Sequence, residues 1–476
     1  MPPPKGLAVQ RAMLAALACA GLAAAWAAAA DPLIAHSSFA SGGATIRFQF
    51  WGGAEELDQF TRIARAFVER HPQVRVRLSA LPWGQYWAKL QTQAAGGIAP
   101  DVFRLYSGAA AEWYDRGVLL DLEPLARRDR LGLDGFYPVA LQACRWKGRL
   151  LALPSDLPIR VLIYNKDLFD RAGLSAEYPD PLEPMTWSRL VELGRKLTME
   201  RDGKVVQFGL SLAPQADVIL IHQAGGRLTD RCADPTRATA DTPEVEAGLR
   251  FYHDLQYKDR IAPDVGAQQE MGFGGGETPL LSGRVAMGMA GPWTLKAYAA
   301  SGLRLGLAPL FRGAHRAQIS TPNVHGVYAG SPHKEAAWQF VAFVASEEGQ
   351  RLVARLGVGV PALRRVAASP DFTQSAPGFS NLRAFADDLA FAEPLVMFPT
   401  PEILQGLDRV TGDLRLKPGV TPAKAAAELQ RLIARAIAGQ HPRPVPFHSR
   451  VTGPALVALF AGWPSNSAVV AAALTI

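Results

Sequence analysis

A chain of 476 residues, 49% hydrophobic and 20% charged, is too apolar for disorder and too long for a single core, so two lobes of roughly 200 residues each are expected. Of its formal charge of +7, Lys5 and Arg11 carry two and the rest of the chain +5. The arginines sit among acidic residues, as in RRDR from Arg127, and no basic run alternates with aromatics; this is the charge of a solvated surface and argues against nucleic-acid binding.

Residues 1–30 stand apart from the body. Lys5 and Arg11 precede the uncharged run AMLAALACAGLAAAWAAAA, with small Ala28 and Ala30 where a signal peptidase reads, which predicts an export signal cut before Asp31. An uncleaved anchor is the alternative. Lipid attachment at Cys19 is a third, although Ala16-Leu17-Ala18 matches the usual leader box poorly. Export leaves Cys144 and Cys232, whose separation suggests neither a disulfide framework nor a metal site; two unpaired, buried thiols are expected.

Residues 31–44, with HSSFASGGA, read as a linker. TIRFQFW, Thr45 to Trp51, then alternates like a strand, Gly52-Gly53 breaks it, and Leu57, Phe60, Ala64 and Phe67 recur as one face of a helix that His71-Pro72 ends. VRVRL from Val74 is a second strand, YWAKLQTQ a second helix stopped at Gly96-Gly97, and PDVFRLY after Ala99 a third strand. Such alternation predicts α/β lobes, each a mainly parallel sheet flanked by helices. In these sheets ligands sit beyond the carboxyl ends of the strands, which nominates Trp51 to Glu55 and Tyr106 to Gly108.

Trp51, Trp83, Tyr86, Trp87, Tyr106 and Trp293 fall at strand ends, in loops or in the helix that follows a strand. A flat indole or phenol matches the C–H face of a pyranose, and neighbouring Asp, Glu, Arg and Asn match its hydroxyls. Trp87, within a helix, reads as core, whereas Trp51 and Trp293, beside glycine or proline in turns, read as site residues. In LPSDLPIRVLIYNKDLF two prolines bracket Ser155 and Asp156, so a carboxylate lies where the chain is stiff and about to be buried. A glycosidase would need two facing carboxylates, for which Asp156 with Glu55 or Asp101 is conceivable. Asp101 more simply caps or turns, and no GxSxG, HExxH or P-loop is present; the run MGFGGGET has no Lys followed by Ser or Thr, as a phosphate cradle needs.

The ordered set FWGGAEELDQF, PWGQYWAKLQTQAAGG, APDVFRLYSG, GVLLDLEP, LPSDLPIRVLIYNKDLFDRAGL, PMTWSRL, GRVAMGMAGPW, APL and SPHKEAAWQFVAFVASEEGQ resembles the extracellular solute-binding proteins of bacterial ABC importers, in the carbohydrate-binding family that includes maltose-binding protein. The likeness spans about residues 45–440. It implies a periplasmic-binding-protein-like fold of two lobes joined by three chain crossings, with residues 45–155 plus 320–358 in the amino lobe and 160–316 plus 362–440 in the carboxyl lobe. It further implies a sugar or oligosaccharide held in the cleft by Trp51, Gly52, Glu55, Tyr86, Ser107, Gly108, Asp156, Trp293, Asn323 and Phe398. Asp156 would lie on the cleft floor, its competing role being partner to Arg160. His325 reads as a loop residue near the second crossing, and Gly225-Gly226 as a turn.

The implied protein is a periplasmic monomer that hands its ligand to the permease subunits of an importer, breaks no bond, and uses no cofactor or metal. A polyol or glycerol-phosphate ester, met by Arg160 or Arg364, is the alternative ligand. Residues 441–476 depart from the resemblance: PALVALFAGW and AVVAAALTI are apolar but separated by Pro464 to Ser467, so a membrane anchor and a poorly ordered extension both remain open.

Overall fold

The computed structural model describes residues 31–38, 42–270, 278–395, 397, 401–417 and 419–439. The expected export signal, most of the glycine run after Glu270, Phe398 and residues 441–476 lie outside the described residues. Among the described residues no helix is long and apolar enough to cross a membrane.

In chain order the strands are β1 (Leu33–Ile34), β2 (Ala44–Trp51), β3 (Val74–Leu81), β4 (Val102–Tyr106), β5 (Arg145–Trp146), β6 (Arg149–Leu150), β7 (Leu153–Leu157), β8 (Val161–Asn165), β9 (Met199–Arg201), β10 (Lys204–Ser211), β11 (Val285–Ala290), β12 (Leu305–Ala308), β13 (Gln318–Ser320), β14 (Asn323–Val327), β15 (Val360–Pro361) and β16 (Ala392–Pro394). A seven-stranded sheet runs β1-β3-β2-β4-β14-β7-β15 and a five-stranded sheet β12-β8-β11-β10-β9. Two small sheets pair β13 with β16 and β5 with β6.

The first unit shows why the sequence folds this way. Ile46, Phe48 and Phe50 of β2 are fully buried, and the helix Ala54–Arg70 covers them with Phe60, Ile63, Ala64, Phe67 and Val68. Each buried phenylalanine is worth about 1.5–3 kcal/mol, more than a weak glycine cap can cost. Gly53 is that cap; its amide donates to the Glu56 carboxylate at 2.8 Å, closing the first turn. The helix ends at Arg70, before Pro72, because a residue ahead of proline avoids helical geometry.

The sheets are mixed, a correction to the mainly parallel arrangement expected. β2 pairs parallel with β3 and β4, but β14 inserts antiparallel between β4 and β7, and β1 and β15 close the edges antiparallel. In the second sheet only β10 and β11 pair parallel, with β8 antiparallel to both β11 and β12. β14 and β8 are the strands that enter each sheet from the other lobe, and a strand arriving that way is free of the right-handed crossover that forces parallel pairing.

The chain leaves the seven-stranded sheet at Leu157 and enters the five-stranded one at Val161, so Pro158–Arg160 is a crossing. It is bound to the return path: Ser320 Oγ donates to the Pro158 carbonyl at 2.8 Å and Gln318 Nε2 to the Arg160 carbonyl at 2.7 Å. Two boundaries also differ from expectation. Leu33 and Ile34 of the expected linker form an edge strand on β3. The helices Arg364–Ala367 and Pro370–Thr373, expected in the carboxyl lobe, lie against the amino-lobe helix Glu347–Arg355: Arg351 and Arg355 pair with Asp371, while Val366 and Phe372 are buried in a core that draws on both large sheets. Cys144 and Cys232 are both free, and burial pushes the Cys232 thiol up to about 11.

Candidate functional site

β2 and β4 end side by side, and their last residues, Trp51 and Tyr106, emerge next to the start of the helix Trp83–Ala95. The rings form one cluster. Trp51 lies 5.1 Å from Trp83 at 82°, 5.4 Å from Tyr86 and 5.8 Å from Trp87 at 29°; Tyr106 lies 5.4 Å from Trp83 and 5.6 Å from Trp87. Trp51 and Tyr106 are partly buried, while Trp83 is 51% exposed. Glycine keeps the corner tight: a Cβ on Gly52 (φ 153°) would stand 2.5 Å from Glu56 Cβ, and one on Gly108 would stand 2.4 Å from the Tyr106 ring.

Tyr86 is a correction. It is fully buried and its hydroxyl donates to the Arg104 carbonyl, so it holds the cluster from beneath and offers no face to a ligand. The cause is its place one turn into the helix, where the strands cover it.

Under Trp51 lies a buried polar group. The Arg104 guanidinium sits 4.6 Å from the Trp51 centroid and 5.5 Å from that of Phe60, and Nη2 donates to Asp156 Oδ1 at 2.7 Å. Asp156 Oδ2 accepts from Asn323 Nδ2, also at 2.7 Å. All three polar residues are buried. Thus the partner of Asp156 is Arg104, not Arg160, and each carboxylate oxygen is already engaged within the protein. Taking such a pair out of water costs several kcal/mol per ion, so the pair fixes geometry more than it adds stability. Asp156 faces Asn323 on β14 and Pro361 on β15, tying three strands at the lobe's edge.

His325 is likewise no loop residue: it lies in β14, buried 5.0 Å from Phe48 and 5.8 Å from Phe60. Burial first, then the Arg104 charge, holds its imidazole well below the usual value. Ser107 is buried at the start of the helix Ser107–Asp115; its amide donates to the Pro322 carbonyl at 2.9 Å, and its Oγ has no partner among the described residues.

The carboxyl lobe presents Trp293, which follows Gly291-Pro292 and folds back so that a Cβ on Gly291 would lie 2.2 Å from the ring. Trp293 is 41% exposed, with the Arg160 guanidinium 5.3 Å from its centroid. One turn on, Lys296 Nζ donates to Glu55 Oε1 of the amino lobe at 2.8 Å. This ion pair brings the Trp51 and Trp293 corners together across the lobes. A second approach lies at Tyr106, whose hydroxyl is pushed up to about 12, chiefly by burial and then by the Asp408 carboxylate on the helix Pro401–Leu416.

Arg104 and Lys296 were not among the candidates named from the sequence, and Trp83 was named only as one of six aromatics. Arg104 left one signal, a charge inside the otherwise apolar strand VFRLY, all of which but Tyr106 is buried. Such a residue must have a buried partner.

Comparison with known proteins agrees with this architecture. Residues 53–351 match the model of the family described as bacterial extracellular solute-binding protein. A galactooligosaccharide-binding protein of Bacillus subtilis is 23% identical over 73% of this chain and 79% of its own length. A maltotriose-binding protein of Pyrococcus abyssi is 26% identical over 66% of each. Among solved structures, an ABC substrate-binding protein of Listeria monocytogenes in complex with cycloalternan superposes with a TM-score of 0.72 at 22% identity, covering 83% of this chain and 99% of that one. Two α/β lobes with an aromatic corner at their junction, and a family match over most of the described body, make this chain a member of the bacterial extracellular solute-binding proteins.

Proposed function

We propose that the chain is the exported, periplasmic binding component of an ABC importer, capturing a sugar or oligosaccharide between the lobes and delivering it to the permease subunits. The observation that carries this is the Glu55–Lys296 contact, which sets exposed aromatic surface from both lobes around one interlobe space. The relatives named for galactooligosaccharide and maltotriose binding support the ligand class. Residues 1–30 act as the export signal in this reading.

Trp293 supplies a stacking face from the carboxyl lobe, and Glu55, released from Lys296, accepts from hydroxyls. Gly52 and Gly108 let the backbone come close to the ligand. Trp51, Ser107, Asp156 and Asn323 shape the amino-lobe wall; a hydroxyl would reach only the lone pairs of Asp156 that Arg104 and Asn323 leave. Contacts split between lobes are complete only when the cleft is shut, so the ligand shifts the population toward the closed form. Micromolar binding corresponds to about 8 kcal/mol.

The test is calorimetry on residues 31–476 with mono-, di- and trisaccharides, mannitol and glycerol 3-phosphate, with Trp293→Ala beside the parent. A saccharide should bind at micromolar strength or tighter and raise the melting temperature, and Trp293→Ala should weaken it at least tenfold. Binding of mannitol or glycerol 3-phosphate with no saccharide bound would overturn the ligand class.

A further inference from the structure

On the sugar-binding reading just given, we propose that Trp83, not Trp51, is the amino-lobe residue against which a sugar ring stacks, and that Trp51 is its pedestal. The two indoles differ in what their faces meet. Trp51 is partly buried, has the Arg104 guanidinium 4.6 Å from its centroid and Trp87 near-parallel at 5.8 Å, and receives Trp83 and Tyr86 at 82° and 76°. Protein groups occupy its surroundings. Trp83 meets Trp51 at 82°, Trp87 at 78° and Tyr106 at 43°; none of these rings lies parallel to it, and 51% of the residue is open.

An indole held by three rings yet half exposed has already lost its rotamer freedom. A ligand that stacks on it does not have to order it, which is how rigid aromatics give affinity at low entropic cost. Its position favours a small ligand over a protein surface as occupant. Trp83 follows β3 after the single residue Pro82, at the carboxyl ends of parallel strands, where α/β sheets hold ligands. Its neighbour Tyr106 leads into the helix Ser107–Asp115, which contacts the helix Pro401–Leu416 of the other lobe, so this end of the cluster lies at the junction of the lobes. The chemistry selected is the apolar C–H face of a pyranose.

Trp83→Ala, Trp83→Phe and Trp51→Ala are compared by calorimetry with the saccharide that binds the parent most tightly, and each is melted without ligand. Trp83→Ala should lose at least tenfold in affinity while lowering the ligand-free melting temperature less than Trp51→Ala does; Trp83→Phe should recover most of the affinity, because a flat ring remains. Trp51→Ala should lose both affinity and melting temperature. A parent that binds saccharide and a Trp83→Ala that binds it equally well would overturn the inference while leaving the proposed function standing. The same holds if Trp83→Ala keeps saccharide affinity but no longer stimulates the importer's ATPase, for then Trp83 is a docking residue. A parent that binds no saccharide removes the proposed function and this inference with it.

Discussion

The two sides of the cleft are built differently. On the amino side, five aromatic rings interlock above an Arg104–Asp156–Asn323 group sealed from water. On the carboxyl side, Trp293 stands on a glycine turn beside Arg160, and Lys296 is more than half exposed. One wall is fixed before any ligand arrives; the other is made of long side chains that can be rearranged cheaply. On the proposed function, the difference predicts an order of events: a ligand should settle first on the rigid wall and the looser one should close over it.

The rigid wall breaks most severely at its buried charge. Arg104→Met should cost about 3–5 kcal/mol in denaturant unfolding, because Asp156 is left buried and uncompensated. Arg104→Met with Asp156→Leu should recover most of that loss. A single variant that costs under about 1 kcal/mol would show that the pedestal is not sealed.

A gentler probe is pH. His325 is neutral when folded, since burial and Arg104 depress its pKa, whereas the unfolded imidazole takes up a proton near pH 6.5. Its contribution is therefore complete above about pH 6.5 and is lost as the pH falls toward the depressed folded value, at about 1.4 kcal/mol per pH unit. His325→Gln should flatten the slope of unfolding free energy between pH 6.5 and 5 by that amount. An unchanged slope would mean that the imidazole is protonated in place.

The smallest effect belongs to the looser wall. Glu55→Gln should change unfolding free energy by less than about 1 kcal/mol, because both partners are exposed, and added salt should erase even that. Small-angle scattering of the ligand-free variant should nevertheless show a more open average shape. Identical scattering curves would deny the ion pair any part in holding the lobes together.

Much of the rigid wall was legible in the sequence and much of its wiring was not. The period-two run to Trp51, the helical spacing from Leu57 to Phe67 and the stop at Pro72 are local, and each is realised within a residue or two. Strand direction is not local: β14 reaches its place beside β4 after more than two hundred intervening residues. The same distance hid the partner of Asp156, since Arg160 is four residues away and Arg104 fifty-two. Trp83 and Tyr86 share a helix face by spacing, yet only Tyr86 has strands packed over it, so sequence periodicity could not separate plate from support. The two-residue strand at Leu33 was too short for any pattern to register.

The bonds from Ser320 to the Pro158 carbonyl and from Gln318 to that of Arg160 lash the outgoing and returning segments into one strap. Such a strap should resist splaying and so favour one rotational coordinate between the halves. A pair of spectroscopic labels placed across any part of the rim would then report the same angle, and cutting the strap with Ser320→Ala and Gln318→Ala would let different label pairs disagree.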